Sequence, residues 1–314
     1  MAKKSPIKKP PILLAGRESK TMARKIAAEL GLHLGRVEIA TFSDLETHVI
    51  VREELKGRDV YLIQATAAPS NESLMELLIM AHAAKSLQPK RITAVIPFFG
   101  YRRQEKQTVD GEAVTFQLVA KMIKAAGITR VLTIDLHKHR SARFFKEAGI
   151  VSKELRAFDV ISEYLQKKKL DNFVVLAPDK GSVPESEKYA KVLGVPLVKA
   201  YKHRSIRKRD QVTYDRFEGE VKGKNVLIID DEINTAGTLM GVVDILKKEK
   251  AKNIYFACTH GVLSGPAIDR LKKSRIRQII ITDTIYLQPE KRFKKVKILS
   301  VSRLFAEQIA KWSK

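Results

Sequence analysis

Cysteine is almost absent from this chain of 314 residues, because Cys258 is the only one. A single cysteine excludes an internal disulfide framework and fits a reducing compartment. Long apolar runs are also missing, and no segment approaches the about 20 apolar residues that a transmembrane helix needs. The basic, proline-containing segment 1–11 lacks the apolar core of a signal peptide. These absences predict a soluble protein of the cytoplasm.

Acidic residues are scarce relative to basic ones. The chain has 59 Lys and Arg against 35 Asp and Glu, a formal net charge of +24. Such a charge is typical of proteins that bind nucleic acid or handle polyanionic substrates. The basic residues are spread along the chain, and no recognition-helix or RNA-binding signature accompanies them. We therefore expect most of this charge to be solvated surface and no dedicated nucleic-acid site.

Short apolar segments alternate with amphipathic ones, which predicts an α/β fold with mainly parallel sheets flanked by helices. The predicted strands are 12–15, 60–64, 92–96, 131–135, 173–177, 226–229, 254–259 and 278–282. The predicted helices are 21–30, 71–87, 115–126, 157–168, 184–193 and 239–249. The pattern occurs twice with a break near 149–153, so we expect one domain over 1–150 and another over 151–296.

The segment 201–220 is long, charged and poor in apolar residues. Long segments without secondary structure inside compact domains are usually functional or disordered. We expect a mobile cationic loop here, a flap whose Lys202 and Arg204 could close over phosphates.

The segment 226–239, Val-Leu-Ile-Ile-Asp-Asp-Glu-Ile-Asn-Thr-Ala-Gly-Thr-Leu, is the most informative in the chain. It predicts a buried strand that ends in Asp230 and Asp231, then a short loop that opens a helix. Free N–H groups and the helix dipole favour a phosphate there, and the carboxylates suit sugar hydroxyls or a magnesium shell. The pattern predicts a ribose 5-phosphate site, although an ordinary strand-to-helix turn would have the same pattern.

Three other segments with polar residues follow predicted strands, at the sheet edge where α/β proteins bind ligands. They are Pro-Phe-Phe-Gly-Tyr-Arg-Arg-Gln-Glu at 97–105, Thr-Ile-Asp-Leu-His at 133–137 and Ala-Pro-Asp-Lys-Gly-Ser at 177–182. A fourth, Phe-Ser-Asp-Leu-Glu at 42–46, combines apolar and acidic residues. Arginine can contact phosphate oxygens in a bidentate manner, and glutamine can read the edge of a base.

In this order and spacing the segments resemble those of the ribose-phosphate pyrophosphokinases, whose Asp-Asp and Thr-x-Gly-Thr motif is shared with phosphoribosyltransferases. Segments 71–78 and 259–266 are similar as well, so the resemblance covers about 16–306. It implies two similar domains of the type I phosphoribosyltransferase kind, the second carrying the ribose 5-phosphate loop. The segment from about 297–314 would join the first domain.

The resemblance also implies a reaction, in which the diphosphate of Mg-ATP is transferred to the anomeric hydroxyl of ribose 5-phosphate. The products would be phosphoribosyl diphosphate and AMP, Mg²⁺ the cofactor, and the protein a homo-oligomer, since the family is commonly hexameric. ATP would be bound by Arg103 and Gln104 and, from a neighbouring subunit, by Phe42, Asp44, Leu45 and Glu46. Ribose 5-phosphate would be bound by Arg204, Asp230, Asp231, Asn234, Thr235, Ala236, Gly237 and Thr238. The metal–diphosphate unit would be served by His137 and Asp179, and catalysis by Lys202 and Arg204.

Two departures from the family pattern leave an alternative open. Asn234 replaces the usual Asp, and the segment 138–145 lacks the two glutamines that usually follow the histidine. A catalytically weak regulatory homologue that associates with a true synthetase, or more remotely a phosphoribosyltransferase, would also fit. Because the flap cations and both metal residues are present, we expect an active diphosphokinase.

Overall fold

The structure is a computed structural model that describes residues 9–168, 171–204 and 212–314; the side chains of 202–204 and 212–216 are outside this description. The chain forms two compact units. One extends to Leu155 and includes Ser302–Lys314, and the other is Arg156–Val301. Within the described ranges, no helix combines the length and the apolar character that crossing a bilayer requires.

The first unit contains a parallel five-stranded sheet and a separate antiparallel hairpin. In spatial order the sheet strands are β1 (Ile12–Ala15), β4 (Asp59–Ile63), β5 (Arg91–Ile96), β6 (Arg130–Ile134) and β7 (Val151–Leu155). The hairpin is formed by β2 (Val37–Thr41) and β3 (Thr47–Val51). The helices are α1 (Lys20–Leu30), α2 (Ser70–Ser86), α3 (Thr115–Ala125), α4 (Arg143–Glu147) and α9 (Ser302–Ser313).

The apolar pattern explains these elements. β4 is buried along its whole length, as expected for a parallel strand covered by helices on both faces. In α3 the buried residues Phe116, Val119, Ala120 and Ile123 recur at the spacing of one helical face. The ring of Phe116 lies 4.6 Å from that of Phe99, which fixes the segment after β5 against the core.

The second unit contains a seven-stranded sheet in which only β9 and β10 are antiparallel. In spatial order its strands are β10 (Val212–Glu218), β9 (Leu197–Arg204), β8 (Phe173–Ala177), β11 (Asn225–Ile233), β12 (Asn253–Gly261), β13 (Ile276–Thr282) and β14 (Val296–Leu299). Its helices are α5 (Phe158–Gln166), α6 (Val183–Leu193), α7 (Gly237–Lys248) and α8 (Ala267–Lys273).

The predicted fold class is confirmed, because each unit is a mainly parallel sheet flanked by helices. Every predicted strand and helix is present, with ends that differ by a few residues. Sequence analysis missed the β2–β3 hairpin, β7, β9, β10, β14, α4, α8 and α9.

The prediction of a loop over 201–220 is wrong, because β9 and β10 pair as antiparallel strands through most of it. Val198 and Ala200 are buried while Lys199 between them is not, so buried and more exposed side chains alternate along β9, as in a strand with one face on the core. Lys199 and Tyr201 both donate hydrogen bonds to Glu218, which joins the two strands at their base. Charged residues are tolerated here because β10 is an edge strand. Residues 205–211 lie outside the described part of the chain.

Candidate functional site

The two acids of the ribose-phosphate motif lie inside β11, which corrects the prediction that the strand ends at them. Asp230 to Ile233 still pair with β12, whereas the pairing of β11 with β8 stops at Ile228. The last part of β11 therefore extends beyond β8, and both carboxylates lie at the carboxyl edge of the sheet.

The loop after β11 is held by its carbonyl groups. The carbonyls of residues 233–235 accept hydrogen bonds from the N–H of Leu263 at 3.0 Å, the N–H of Ser264 at 3.2 Å and Nη1 of Arg270 at 2.8 Å. The C=O and N–H of one planar trans peptide unit point in opposite directions. The N–H groups of residues 234–236 consequently face away from this support, as an anion-binding loop requires.

The start of α7 continues the same surface. Ala236 precedes the helix with φ of 60°, a left-handed conformation that costs a residue other than glycine about 1–2 kcal/mol. The first N–H groups of a helix have no acceptor within it, and they carry the positive end of its dipole. Thr235 and Thr238 are exposed, so their hydroxyls are accessible to a ligand. A methyl group on Gly237 would lie 3.4 Å from Arg270 Nη1, an ordinary contact, so the protein itself leaves room for a side chain at this position.

Asp230 has a strongly perturbed carboxyl group. Burial raises the pKa of Asp230 well above the ordinary aspartate value, and the charges of Asp231 and Asp179 raise it further. The residue as a whole is nevertheless exposed, so it does not belong to the closed core of the second unit. Repulsion among the three carboxylates raises the pKa of Asp230 even where water reaches the side chain, because it does not depend on burial.

Asp179 is fixed by a turn just beyond the end of β8. The N–H of Ser182 donates to Oδ1 of Asp179 at 3.0 Å, and the hydroxyl of Ser182 donates to the carbonyl of Asp179 at 2.8 Å. This predicted metal residue thus has a defined orientation near Asp230, whose pKa it influences.

Asn234 is also held by the chain itself. Its side-chain oxygen accepts a hydrogen bond from the hydroxyl of Ser264, and its carbonyl accepts one from the same residue's N–H. The amide NH₂ is then the group of Asn234 suited to donate to a ligand. A carboxylate at this position could accept the same bond from Ser264.

In the first unit, the predicted ATP residues 42–46 form one tight turn between β2 and β3. The N–H of Phe42 donates to the carbonyl of Glu46 at 2.8 Å, and the N–H of Glu46 donates to Oδ1 of Asp44 at 3.2 Å. Leu45 adopts a left-handed φ of 72°. Phe42 is 51% exposed and Leu45 is 80% exposed, so the turn presents apolar side chains to its surroundings.

The two arginines after β5 have different surroundings. Arg102 is buried and donates from Nη1 to the carbonyl of Asp135 at 3.0 Å, which joins the ends of β5 and β6. Arg103 and Gln104 are exposed, as a ligand contact requires. Oε1 of Gln104 accepts a hydrogen bond from the hydroxyl of Thr115 at 2.6 Å, which fixes the orientation of the amide.

Glu105 connects the segment after β5 to the divergent segment that follows His137. Its carboxylate accepts hydrogen bonds from Nη2 of Arg140 at 3.1 Å and from the hydroxyl of Ser141 at 3.2 Å. The hydrogen bond from Arg140 lowers the pKa of Glu105, as do that from Ser141 and, to a smaller extent, the proximity of His137. The structure thus brings His137, half-buried after β6, close to an ionised carboxylate.

Glu154 on β7 supports the other side of the same segment. Its Oε1 accepts from the N–H of Leu136 at 2.8 Å, and its Oε2 lies 2.8 Å from Nδ1 of His139. Sequence analysis missed both Glu105 and Glu154. One feature of the sequence could have indicated them. The segment 138–143, which departs from the family pattern, is basic, and basic side chains packed in a fold usually pair with acidic ones elsewhere in the chain.

A preformed metal centre is not present among the residues described, because no three His, Cys, Asp or Glu side chains are grouped as ligands. Mg²⁺ commonly binds through one or two carboxylates, with substrate phosphates and water as the other ligands. Asp179 fits that use. His137 fits it less well, since imidazole is not a preferred ligand of magnesium.

The flap residues Lys202 and Arg204 belong to the backbone of β9. Their side chains lie outside the described part of the structure. Their catalytic role stays a prediction.

Comparison with known proteins identifies the family. The family model of the N-terminal domain of ribose phosphate pyrophosphokinase matches residues 11–127, and that of the phosphoribosyl transferase domain matches 151–292. A ribose-phosphate pyrophosphokinase of Halalkalibacterium halodurans is 41% identical over 293 residues, which are 93% of this chain and 91% of that protein. The chain belongs to the ribose-phosphate pyrophosphokinase family.

Two further members of the family agree with this assignment. A ribose-phosphate pyrophosphokinase of Caldanaerobacter subterraneus is 42% identical, over 95% of this chain and 93% of that protein. The crystal structure of phosphoribosylpyrophosphate synthetase from Mycobacterium smegmatis superposes with a TM-score of 0.89 at 36% identity, covering 96% of this chain and 98% of that one. The resemblance found in the sequence is confirmed over nearly the whole chain. The three relatives are named ribose-phosphate pyrophosphokinase or phosphoribosylpyrophosphate synthetase.

Proposed function

We propose that this member of the ribose-phosphate pyrophosphokinase family transfers the β,γ-diphosphate of ATP to the anomeric hydroxyl of ribose 5-phosphate. The observation that carries the proposal is the loop 234–238, whose support on residues 263–270 orients N–H groups for a phosphate beside two carboxylates. The loop occurs in a chain that is 41% identical, over 93% of its own length, to a relative named ribose-phosphate pyrophosphokinase.

Ribose 5-phosphate binds at the end of β11. The N–H groups at the start of α7 and the hydroxyls of Thr235 and Thr238 bind its phosphate. Asp230 and Asp231 accept hydrogen bonds from the ribose hydroxyls, which stabilises their charges. Arg204 adds a cation for the phosphate.

ATP binds through the turn 42–46 and the segment after β5. The ring of Phe42 offers a stacking surface for adenine, and Asp44 and Glu46 can accept hydrogen bonds from its amino group. Arg103 can contact phosphate oxygens in a bidentate manner, and the amide of Gln104 is held in a fixed orientation by Thr115.

The reaction joins the anomeric oxygen to the β-phosphorus while the bond from that phosphorus to the α–β bridging oxygen breaks. AMP leaves with the bridging oxygen, and the proton of the sugar hydroxyl is released to solvent. Magnesium supplies charge neutralisation of the phosphates when bound, and Asp179 and His137 are the residues that would hold it. Lys202 and Arg204 stabilise the negative charge that develops, and positioning supplies most of the remaining acceleration.

We further propose a cytoplasmic homo-oligomer in which the turn 42–46 contributes to the ATP site of a neighbouring subunit. Exposure of Phe42 and Leu45 supports this assignment, because large apolar side chains grouped at a surface mark a contact. The buried thiol of Cys258 suits a reducing compartment.

The experiment that tests the reaction is identification of the nucleotide product. We expect Mg-ATP and ribose 5-phosphate to give AMP in equal amount to phosphoribosyl diphosphate, with no turnover after chelation of divalent cations. ADP as the main product would indicate attack on the γ-phosphorus and contradict the proposal.

The Asp230→Asn variant should lose most of this activity, since it removes a carboxylate beside the ribose. Asp244→Asn is the matched control, because Asp244 is an exposed residue on α7. A wild type that forms no AMP over a range of divalent metals would also contradict the function.

A further inference from the structure

The β2–β3 hairpin carries the turn 42–46 but belongs to neither large sheet. One of its faces packs on the core of the first unit through Val37, Ile39, Val49 and Val51. The last strand pair before the turn is Thr41 with Thr47. The orientation of the turn therefore depends on what holds this last pair.

Arg17 bonds to both strands at that point. Its Nη1 donates to the hydroxyl of Thr41 at 2.7 Å, and its Nη2 donates to the hydroxyl of Thr47 at 3.5 Å. Because the two threonines face each other across the hairpin, one guanidinium spans the base of the turn.

The other edge of Arg17 is anchored in the core. Its Nε donates to Oε2 of Glu76 at 2.5 Å, and its own backbone N–H donates to Oε1 at 2.7 Å. Glu76 lies on the buried face of α2, is 2% exposed, and accepts a further hydrogen bond from Nε2 of Gln64 at 3.0 Å. A buried carboxylate with three donors is a rigid anchor, since any displacement leaves a buried charge incompletely bonded.

The backbone before Arg17 is adapted to this contact. A Cβ atom at Gly16 would lie 2.2 Å from Oε1 of Gln64 and 2.8 Å from Oε1 of Glu76, so it would displace both of these hydrogen-bonded side chains. Glycine at this position lets the end of β1 approach the carboxylate closely enough for the N–H of Arg17 to bond to it.

We propose that Arg17 is a positioning residue that holds the turn 42–46 in the geometry that binds the adenine of ATP. The inference rests on the proposed function, since it assigns ATP binding to the turn. The planar guanidinium is required because it bonds to one carboxylate and two hydroxyls at once. An ammonium group has the charge but not this geometry.

The test compares steady-state constants of variants. In Arg17→Ala we expect the KM for ATP to rise about tenfold, the scale of a lost charge-assisted hydrogen bond, with kcat and the KM for ribose 5-phosphate within about twofold of wild type. Arg17→Lys should raise the KM for ATP nearly as much. The double variant Thr41→Val, Thr47→Val removes only the hydroxyls and keeps branched side chains suited to strands, so it should act in the same direction.

Arg52→Ala is the matched control. Arg52 follows β3 at the opposite end of the hairpin, where it makes an exposed ion pair with Glu38 at 3.0 Å. Its loss should leave the KM for ATP unchanged. Hydrogen exchange without nucleotide provides a second readout: amides of 42–46 should exchange faster in Arg17→Ala and in the double threonine variant, but not in Arg52→Ala.

Three results would overturn the inference in an active wild type. The first is an unchanged KM for ATP in Arg17→Ala or the double threonine variant, and the second is an equal rise in both KM values. The third is full recovery in Arg17→Lys, which would mean simple attraction of ATP by charge. Failure of the proposed function looks different, because the wild type itself would then produce no AMP.

Discussion

The carboxylates of Asp231 and Asp179 repel that of Asp230 near the end of β11. Repulsion of this kind costs folding free energy. In the proposed function, a bound cation and the ribose hydroxyls would offset that cost. The sequence predicted all three residues. It could not predict their mutual electrostatic effect, because they come from two strands whose adjacency only the fold establishes.

Removal of the Asp230 charge should raise the stability of the ligand-free protein while it lowers activity. The folded protein keeps a proton on Asp230 at pH values where the unfolded chain, with an aspartate pKa of about 3.9, has lost it. Stability contributed at this residue therefore falls as pH rises from about 4 toward the raised pKa of the folded state. We expect the Tm of Asp230→Asn to exceed that of wild type at pH 7.5, and the difference to shrink toward pH 5.

Asparagine suits this comparison because it keeps an oxygen for the N–H of Asp231, which donates to Oδ1 of Asp230 at 2.9 Å. Asp244→Asn provides the control for loss of an exposed charge. A Tm difference that grows as pH falls would contradict a raised pKa of Asp230 in the folded protein.

Asn234 should be compatible with an active enzyme. Its oxygen already accepts from Ser264, and aspartate would accept the same bond, so Asn234→Asp changes charge with little change in position. A charge-assisted hydrogen bond exceeds a neutral one by roughly 1 kcal/mol, hence kcat/KM for ribose 5-phosphate should change by about tenfold at most. An inactive wild type that Asn234→Asp restores would favour a regulatory homologue instead.

At the scale of elements, the strands that sequence analysis identified are those buried on both faces. β8 is a continuous apolar segment, β4 is apolar after Asp59, and both are buried along their whole length. The missed hairpins are partly exposed, and their apolar residues alternate weakly; β2 has no fully buried residue. A charged edge strand such as β10 has the composition of a loop. The sequence therefore predicted a loop where the structure has paired strands.

The supports of the site were missed for a different reason. Glu76, Glu105 and Glu154 each bond to segments distant in the chain, and no local pattern marks such pairs. Phosphate loops and strand-end acids are local motifs, so the sequence was sufficient for them. The contacts of Glu76, Glu105 and Glu154 join segments that only the tertiary structure brings together.

Lys202 and Arg204 should act mainly on charge that develops in the transition state. Each alanine substitution should lower kcat on the order of 100-fold with a smaller effect on substrate binding, the scale of one lost electrostatic stabiliser. Lys199→Ala is the control within β9, since Lys199 bonds to Glu218 at 3.3 Å. The measurement is kcat at saturating substrate. If kcat falls only slightly, and equally, in all three variants, the flap is a solvated basic hairpin with no catalytic role.

For the whole molecule, the excess of 59 basic over 35 acidic residues favours association with two phosphorylated substrates. A positive field raises the local concentration of anions and accelerates their encounter, and salt screens it beyond about 10 Å at 0.1 M. Such a field acts on every anion alike. In the proposed function, discrimination between the two substrates would depend on the turn 42–46 and the loop 234–238.

Whether that turn serves a neighbouring subunit can be decided by mixing two defective chains. Phe42→Ala removes the adenine contact and Lys202→Ala the flap cation, so each variant alone should have little activity. In a co-expressed assembly, an intact turn on one chain can meet an intact flap on another, and about one quarter of the sites should recover if chains mix at random. Co-expression of Lys202→Ala with Arg204→Ala is the control, because both defects lie in the same hairpin and every site keeps one of them. Activity of the first mixture no greater than the sum of its parts would show that each chain uses its own turn.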